Sequence, residues 1–333
     1  MAKLKLAVNG FGRIGRLTVR ILKKHYPDVD IVAVNDLTDA PTLAHLFKYD
    51  TAHGRFAGEV SVESEGIRIQ GDLIKVFAEK DPSSLPWKDL GVDIVLESTG
   101  KFTEKEKAEL HLKAGAGRVI ISAPAKGDIK TIVLGVNDHM LTKEDRIVSN
   151  ASCTTNCLAP MVKVLDDAFG VEYGLMTTTH AFTADQRLQD APHKDLRRAR
   201  AASHNIVPTS TGAASAVGKV LTHLKGKLHG TAMRVPTITG SVTEFNAIVK
   251  NVPTAEQVNA AFRNAAEGAL KGILKYTEEP IVSSDIIGDP HSCIFDAGLT
   301  MVMHSMVRVT GWYDNEAGYS HRIADLIVRL GQA

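Results

Sequence analysis

The stretch SNASCTTNCLAP, residues 149–160, carries two of the chain's three cysteines and follows a short apolar run, RIVSN at 146–150. Val162, Leu165 and Phe169 keep a 3–4 spacing that predicts a helix over 154–170, ending at Gly170. Cys153 placed at the start of that helix would meet unpaired backbone N–H groups and the positive end of the helix dipole, which favour thiolate over thiol. The same N–H groups suit an oxyanion on a carbonyl that the sulfur attacks. This is the chemistry of a nucleophilic cysteine. Pro160 predicts a bend or a late start in the helix. Cys157, one turn deeper, and Cys293 read as packed core thiols. C-x-x-x-C is not a usual zinc spacing and no second close Cys/His pair accompanies it, so no metal is expected. A nucleophilic thiol needs a base. GLMTTTHAFTADQR, 174–187, is a β-branched strand with His180 near its end. A strand packed beside the Cys153 helix would bring the imidazole to the thiol. Read alone, such a histidine is more often a satisfied structural one.

A second chemical signature lies near the N-terminus. Leu4, Leu6 and Val8 alternate in a strand over 3–9, and VNGFGRIGRLTV follows, with Gly10, Gly12 and Gly15 in G-x-G-x-x-G. Ile14, Leu17, Ile21 and Leu22 then share one helix face, and DIVAVND, 30–36, is the next strand. Strand, glycine turn, helix and a strand ending in Asp36 make a dinucleotide-binding fingerprint. Gly10 permits the turn, Gly12 lets the backbone approach a pyrophosphate, and Gly15 lets helix pack on strand. The pyrophosphate would rest on the helix N-terminus. Asp36 would accept hydrogen bonds from the ribose hydroxyls and repel a 2′-phosphate, which favours NAD over NADP.

The elements that must hold these groups are legible as apolar patterns. Residues 59–79 alternate with two glycine turns, as antiparallel hairpins do. Residues 92–100, 118–124, 130–137 and 146–150 are short apolar runs suited to buried parallel strands. Residues 103–115 read as a helix with Thr103 and Glu106 in a capping box. Strands alternating with helices predict a doubly wound α/β sheet of Rossmann type over 1–150. Residues 227–251 and 292–315 alternate as in an antiparallel sheet, and 254–272 open with a T-x-x-Q capping box. They predict an α+β catalytic domain with a mainly antiparallel sheet over 151–315. In the last helix, 316–330, Ile323, Leu326, Ile327 and Leu330 share a face.

The 333 residues, 44% hydrophobic and 23% charged, fit two globular domains and argue against disorder. A net charge of +1 implies no bulk attraction to nucleic acid or to an anionic membrane. No apolar run reaches the ~18 residues of a membrane helix. MAKLKLAVNG lacks the features of a signal peptide, and three cysteines make no disulfide framework, so a reducing cytoplasm is expected. The basic run HKDLRRARAASH, 193–204, has no interleaved aromatic residue for base stacking.

NGFGRIGR, ASCTTNCLAP, TTTHAFTADQR, HKDLRRARAA, PTSTGAA, GTAMRVPT and WYDNEAGYS together resemble the phosphorylating glyceraldehyde-3-phosphate dehydrogenases, from about Lys3 to Leu330. The resemblance implies NAD-dependent oxidative phosphorylation of glyceraldehyde 3-phosphate to 1,3-bisphosphoglycerate, reversible, in glycolysis and gluconeogenesis. Cys153 would be the nucleophile and His180 its base, by way of a hemithioacetal and a thioester. Thr183, Asp185 and Arg234 would line the substrate phosphate site, with Asp185 orienting Arg234 or a neighbouring hydroxyl. Ser152, Thr154, Arg198, Thr211 and Gly212 would line the site of the attacking inorganic phosphate. The cofactor set would add Phe11, Arg13 and Ile14 in the glycine turn, Lys80 near the adenine, Thr99, Gly100 and Ser122 at strand ends, and Asn315 on the nicotinamide carboxamide. The resemblance also implies a homotetramer and a C-terminal helix, 316–333, that completes the NAD-binding domain. Ala191 beside Pro192 implies NAD preference with some NADP use. Three other readings stand beside this one: an erythrose-4-phosphate dehydrogenase, an RNA-binding role for the dinucleotide cleft, and a catalytically silent interaction protein.

Overall fold

Leu6, Ala7 and Val8 in the run LKLAVN are wholly buried. A run covered on both faces belongs inside a parallel sheet, and it forms β1 (Leu4–Asn9) in the middle of one. The structure, a computed structural model, describes residues 3–332. It divides into two units: residues up to 132, 139–151 and from 320 onward in the first, 133–138 and 152–319 in the second.

In the first unit β1 is followed by α1 (Arg13–His25), β2 (Val29–Asn35), α2 (Ala40–Lys48), β3 (Val60–Glu63), β4 (Gly66–Ile69) and β5 (Asp72–Phe77). Next come α3 (Trp87–Leu90), β6 (Ile94–Glu97), α4 (Lys105–Lys113), β7 (Arg118–Ile121), β8 (Lys130–Thr131) and β9 (Ile147–Ser149). The sheet order is β3-β4-β5-β2-β1-β6-β7-β9-β8. β1 pairs in parallel with β2 on one side and β6 on the other. The winding therefore reverses between β1 and β6, where such a sheet opens a crevice at its C-terminal edge. Residues 60–77 make the expected antiparallel hairpins, and β5 joins them to β2 in parallel.

Three local expectations are corrected. α2 was not foreseen. Its start is capped by Asp39, whose Oδ1 accepts Thr42 N–H at 2.7 Å, with proline in the first turn. The capping box at Thr103 does not form. α4 is capped at Glu104 without a side-chain bond, because Thr103 O accepts Lys126 N–H at 2.9 Å and Glu104 bridges Lys126, holding this stretch extended. The strand over 130–137 shrinks to β8. Asn137 Oδ1 accepts Val133 N–H at 2.8 Å and Val133 O accepts Val136 N–H at 3.0 Å, which folds 133–138 into a turn.

The second unit contains α5 (Cys153–Phe169), β10 (Val171–Ala181), β11 (Val207–Ser210), α6 (Ala213–Val220), β12 (Leu228–Val235), β13 (Ser241–Val249) and α7 (Ala255–Glu267). β14 (Leu274–Thr277), β15 (Cys293–Asp296), β16 (Met301–Met303) and β17 (Met306–Tyr313) follow. The sheet order is β11-β12-β10-β13-β17-β15-β14, with β16 on β17. Only β10–β12 and β14–β15 are parallel pairs, so the sheet is mainly antiparallel. α5 neither starts late nor stops at Pro160. Leu158, Ala159, Met161, Val162 and Leu165 are all at 0% exposure. Burying each large apolar side chain is worth about 2 kcal/mol, enough together to offset the roughly 3 kcal/mol of an interior proline. β10 ends at Ala181, and a turn closed by Gln186 N–H on Thr183 O (2.9 Å) follows. The Thr254–Gln257 capping box forms, and α7 ends at Glu267, short of 272.

The last helix, α8 (Ala317–Gly331), belongs to the first unit from residue 320. Ile323, Leu326, Ile327 and Leu330 are buried, as their shared face predicts. Tyr26 donates to Asp325 and Arg118 donates to Leu330 O, which tie this helix to the first sheet. Among the described residues no helix is long and apolar enough to cross a membrane.

Candidate active site

Ser152 has the extended backbone of an N-cap, and its Oγ accepts Thr155 N–H at 3.1 Å. That makes Cys153 the first residue of α5, where the N–H groups of Cys153 and Thr154 favour negative charge on its sulfur. β10 delivers the partner: His180 Nε2 stands 3.4 Å from Cys153 Sγ. The other ring nitrogen, Nδ1, lies 2.6 Å from Ala181 O. Arg234 Nη1, which can only donate, stands farther from Nδ1 at 3.1 Å, and the closer neighbour is a carbonyl that can only accept, so we assign the proton to Nδ1 and the lone pair facing the thiol to Nε2. Burial, and then the charge of Arg234, push the imidazole down to about 3, so the ring is neutral at neutral pH. Tyr313 supports both partners. Its hydroxyl bonds Thr154 Oγ1 at 2.9 Å and Thr178 Oγ1 at 2.8 Å, and its ring stands edge-on to His180. The expectation of a depressed thiol needs correction. Burial pushes Cys153 up, while Arg234, the Thr154 hydroxyl and the two N–H groups pull it down without cancelling the burial. Cys157 and Cys293 are buried core thiols.

The parallel register of β10 and β12 sets Arg234 opposite His180. Its Nη1 lies 3.1 Å from His180 Nδ1 and donates to Ala181 O at 3.3 Å and Thr183 Oγ1 at 3.4 Å. Its Nε is buried and finds no partner, so the guanidinium keeps donor capacity for an anion. Asp185 does not orient Arg234. It pairs with Arg198, whose Nη2 also donates to Ser210 O at 3.4 Å. Arg198 N–H groups thus reach the strand end that leads into Thr211 and Gly212. Gly212 caps α6, and Thr211 Oγ1 accepts Ala213 N–H at 3.2 Å. The hydroxyls of Ser152 and Thr154 bond the hydroxyls of Thr155 at 2.8 Å and Tyr313 at 2.9 Å, and in each pair either oxygen can be the donor. Asn315 is buried in the second unit. Its Oδ1 accepts from Ser241 Oγ at 2.8 Å and Gly240 N–H at 3.2 Å, so the amide orientation is fixed, with the oxygen engaged and Nδ2 as the donor end.

The first unit has a cavity of about 490 Å³ at the winding reversal, walled by Gly10, Gly12, Asp36, Lys80 and Thr99 among others. Gly10 has φ +93, and a Cβ on it would lie 2.6 Å from Thr99 N. A Cβ on Gly15 would lie 2.3 Å from Gly10 O, so that glycine allows the helix to seat against the turn. A Cβ on Gly12 would meet nothing within 4 Å: it would stand in the cavity, as a cradle for a close-approaching phosphate requires. Asp36 Oδ2 accepts Phe11 N–H at 2.8 Å, which leaves Oδ1 as its unengaged oxygen for a ribose. These residues fit a dinucleotide. The side chains of Phe11, Arg13 and Ile14 do not wall the cavity. Phe11 stacks on Phe47, Arg13 pairs with Asp50, and the turn offers backbone alone. Gly100 (φ +71) and Ser122, beyond the ends of β6 and β7, also stand off the wall. The sequence reading missed Asn9, Asn35 and Glu79 on the wall, Glu97 and His111 behind it, and Tyr313 beside the thiol. Glu97 had a signal: it is a carboxylate in an otherwise apolar strand. Among the described residues no cluster of three or more His, Cys, Asp or Glu could hold a metal ion.

Family models for the NAD-binding domain and the C-terminal domain of glyceraldehyde 3-phosphate dehydrogenase match residues 4–105 and 152–315. Glyceraldehyde-3-phosphate dehydrogenase of Mycolicibacterium smegmatis is 58% identical over 337 residues, covering 99% of this chain and 99% of the relative. The protein of that name from Mycobacterium avium is 57% identical over 336 residues, again with 99% of both chains covered. Glyceraldehyde-3-phosphate dehydrogenase 2 of Streptomyces avermitilis is 57% identical over 330 residues, with 98% of both covered.

Proposed function

The chain belongs to the glyceraldehyde 3-phosphate dehydrogenase family, and on that premise we infer that Cys153 and His180 are its nucleophile and base. It is an NAD-dependent oxidoreductase acting on glyceraldehyde 3-phosphate. The observation that carries the residue assignment is the 3.4 Å approach of Cys153 Sγ to a neutral His180 Nε2.

The thiol proton passes to Nε2 as sulfur attacks the aldehyde carbon, and the Cys153 and Thr154 N–H groups hold the oxyanion. His180 returns the proton to give a hemithioacetal. When bound, NAD supplies hydride acceptance. His180 takes the hydroxyl proton as the hemithioacetal carbon is oxidised, and a thioester remains on Cys153. Inorganic phosphate then attacks the thioester carbonyl, sulfur leaves as thiolate, and the acyl phosphate departs. Sulfur serves because it is both a good nucleophile and a good leaving group, so the oxidation energy is held for phosphate instead of being lost to water.

Thr183 and Arg234 are the proposed donors to the substrate phosphate. Arg198, Thr211, Gly212 and the Thr154 hydroxyl are proposed for the attacking phosphate, with Asp185 holding Arg198 and Ser152 holding the helix start. For NAD, the proposed contacts are Gly10, Gly12, Asp36, Lys80 and Thr99, the backbone of Phe11 through Gly15, and the Asn315 amide on the carboxamide. The assay that tests this reading follows reduced cofactor with and without inorganic phosphate, with NAD and NADP side by side, and with erythrose 4-phosphate as the second aldehyde. The expected result is phosphate-dependent turnover of glyceraldehyde 3-phosphate, with NAD favoured at least about tenfold, one mismatched charged contact. Phosphate-independent oxidation, or equal turnover with both cofactors, would contradict it.

A homotetramer is proposed as the assembly. Leu188, Leu196 and Ile206 are 71%, 80% and 70% exposed, and Tyr173, Leu175, Met301 and Met303 are exposed on the second sheet. Apolar surface on this scale is ordinarily covered. Sedimentation at four chain masses is expected, and a monomer would refute it. The three free cysteines support a reducing compartment, the cytoplasm, as its place.

A further inference from the structure

Behind the wall of the dinucleotide cavity lies a carboxylate with no water contact. The side chains of Glu97 and His111 are both 0% exposed, and among the described residues no lysine or arginine pairs with Glu97. Four donors converge on the carboxylate. Oε1 accepts Thr99 N–H at 2.8 Å and the Thr99 hydroxyl, and Oε2 accepts Asn9 Nδ2 at 2.6 Å and His111 Nε2 at 3.0 Å.

The direction of every bond in this network follows from its ends. The Trp87 indole N–H can only donate, and it donates to His111 Nδ1 at 3.1 Å, so the His111 proton lies on Nε2. A carboxylate can only accept. Asn9 must therefore turn Nδ2 to Glu97 and Oδ1 away, and Asn35 Nδ2 meets that Oδ1 at 2.7 Å. Asn35 Oδ1 in turn accepts Glu79 N–H at 2.8 Å, and its Nδ2 also donates to Glu79 O at 2.9 Å. The chain starts at a buried indole and ends on Asn9, Asn35, Glu79 and Thr99, all of which wall the cavity. A buried charge without a cation is costly, and an apolar group of similar volume is often no worse for stability. The network's output is the orientation of two amides, one hydroxyl and one backbone segment, each at the cavity.

We propose that Glu97 is a positioning residue for cofactor binding: the buried acceptor that, held by His111 and Trp87, sets the donor and acceptor pattern of the wall facing the adenosine half of NAD. This rests on the reading of that cavity as the NAD site. Glutamine at this position replaces one acceptor by a donor, so it must face either the Thr99 pair or the Asn9–His111 pair with the wrong polarity.

The test uses the full-length enzyme with Glu97→Gln and Trp87→Phe, the latter keeping the ring but not the N–H. In Glu97→Gln, Kd for NAD and Kd for ADP-ribose rise by the same factor, about tenfold or more, the worth of a hydrogen bond to a buried charged group. KM for NAD follows, kcat at saturating NAD stays within about twofold, and KM for the aldehyde is unchanged. Trp87→Phe moves the same constants in the same direction by a smaller factor, about threefold. Wild-type affinity for both ligands in the two variants would overturn the proposal. So would a fall in kcat and a rise in aldehyde KM that track a lowered melting temperature, since that is the signature of a merely structural network. If the wild-type enzyme bound NAD but not ADP-ribose, the reading of the cavity would fail, and that failure is separate from any effect of Glu97.

Discussion

Serine in place of Cys153 is expected to remove aldehyde oxidation almost entirely, by about four orders of magnitude or more. The two side chains differ by one atom, so α5, its Ser152 cap and the Tyr313 bridge to Thr154 have no reason to move. What changes is chemistry. His180, held down to about 3 by burial and Arg234, is a weak base. It can take a proton from a thiol that the Cys153 and Thr154 N–H groups stabilise as an anion, and far less readily from a hydroxyl, whose alkoxide lies many pKa units higher. The second half-reaction suffers as well. An oxygen ester expels its alkoxide to phosphate much more slowly than a thioester expels sulfur. Initial rates on both enzymes, with NAD affinity and melting temperature as controls, check the expectation. Alkylation gives an independent reading. Cys157 and Cys293 are at 0% exposure while Cys153 is partly exposed, so one equivalent of iodoacetamide should inactivate the wild type and label residue 153 alone. A serine variant within tenfold of wild type, or inactivation that tracks label on Cys157, would remove Cys153 from the mechanism.

How much of this was visible in the sequence depends on whether the signal is local. G-x-G-x-x-G between β1 and α1 is a backbone requirement written in side-chain absences. The structure repeats it at Gly10, Gly12 and Gly15 as one tight turn, one open cradle and one close approach. The shared face of Ile323, Leu326, Ile327 and Leu330 was legible for the same reason, because helical periodicity needs no knowledge of the partner surface. The helix of α5 was also readable, one residue short of its observed start at Cys153, yet the thiol's environment was not. A helix start argues for a lowered thiol, whereas burial by side chains distant in sequence argues for a raised one, and burial is a tertiary property. Partner choice among charges is equally non-local. Asp185 has Arg198 and Arg234 to choose between, and the fold of 183–198 gives it Arg198. The polar network from Trp87 to Glu79 was missed because it spans three strands, two helices and the segment after β5, which meet only in the folded sheet. The capping box at Thr103 failed for the opposite reason. The local signal was present, and a bridge to Lys126 outcompeted it.

His180→Asn should slow turnover by about 10² to 10⁴-fold, the usual worth of a positioned general base, and should change the shape of the pH profile. In the wild type the Nε2 lone pair faces Sγ at 3.4 Å, and the ring stays neutral well below neutral pH, so the base remains available as the solution is acidified. Asparagine at 180 carries no base to that position. Hydroxide must then take the thiol proton, and the logarithm of the rate should climb with pH at a slope of about one. Burial keeps Cys153 above its ordinary 9.0, so the climb should continue through pH 8 without levelling. Stability moves in the other sense. The folded-state imidazole has its pKa depressed from 6.5 to about 3, so below pH 6.5 the unfolded chain binds a proton that the folded chain refuses. The wild type therefore loses stability as the pH falls from 6.5 toward 3. The asparagine variant lacks that term, and its melting temperature should fall less between pH 7 and pH 5 than the wild type's does. A variant with the wild-type pH profile, or with an equal acid loss of melting temperature, would mean that residue 180 neither holds the proton nor titrates as its burial beside Arg234 requires.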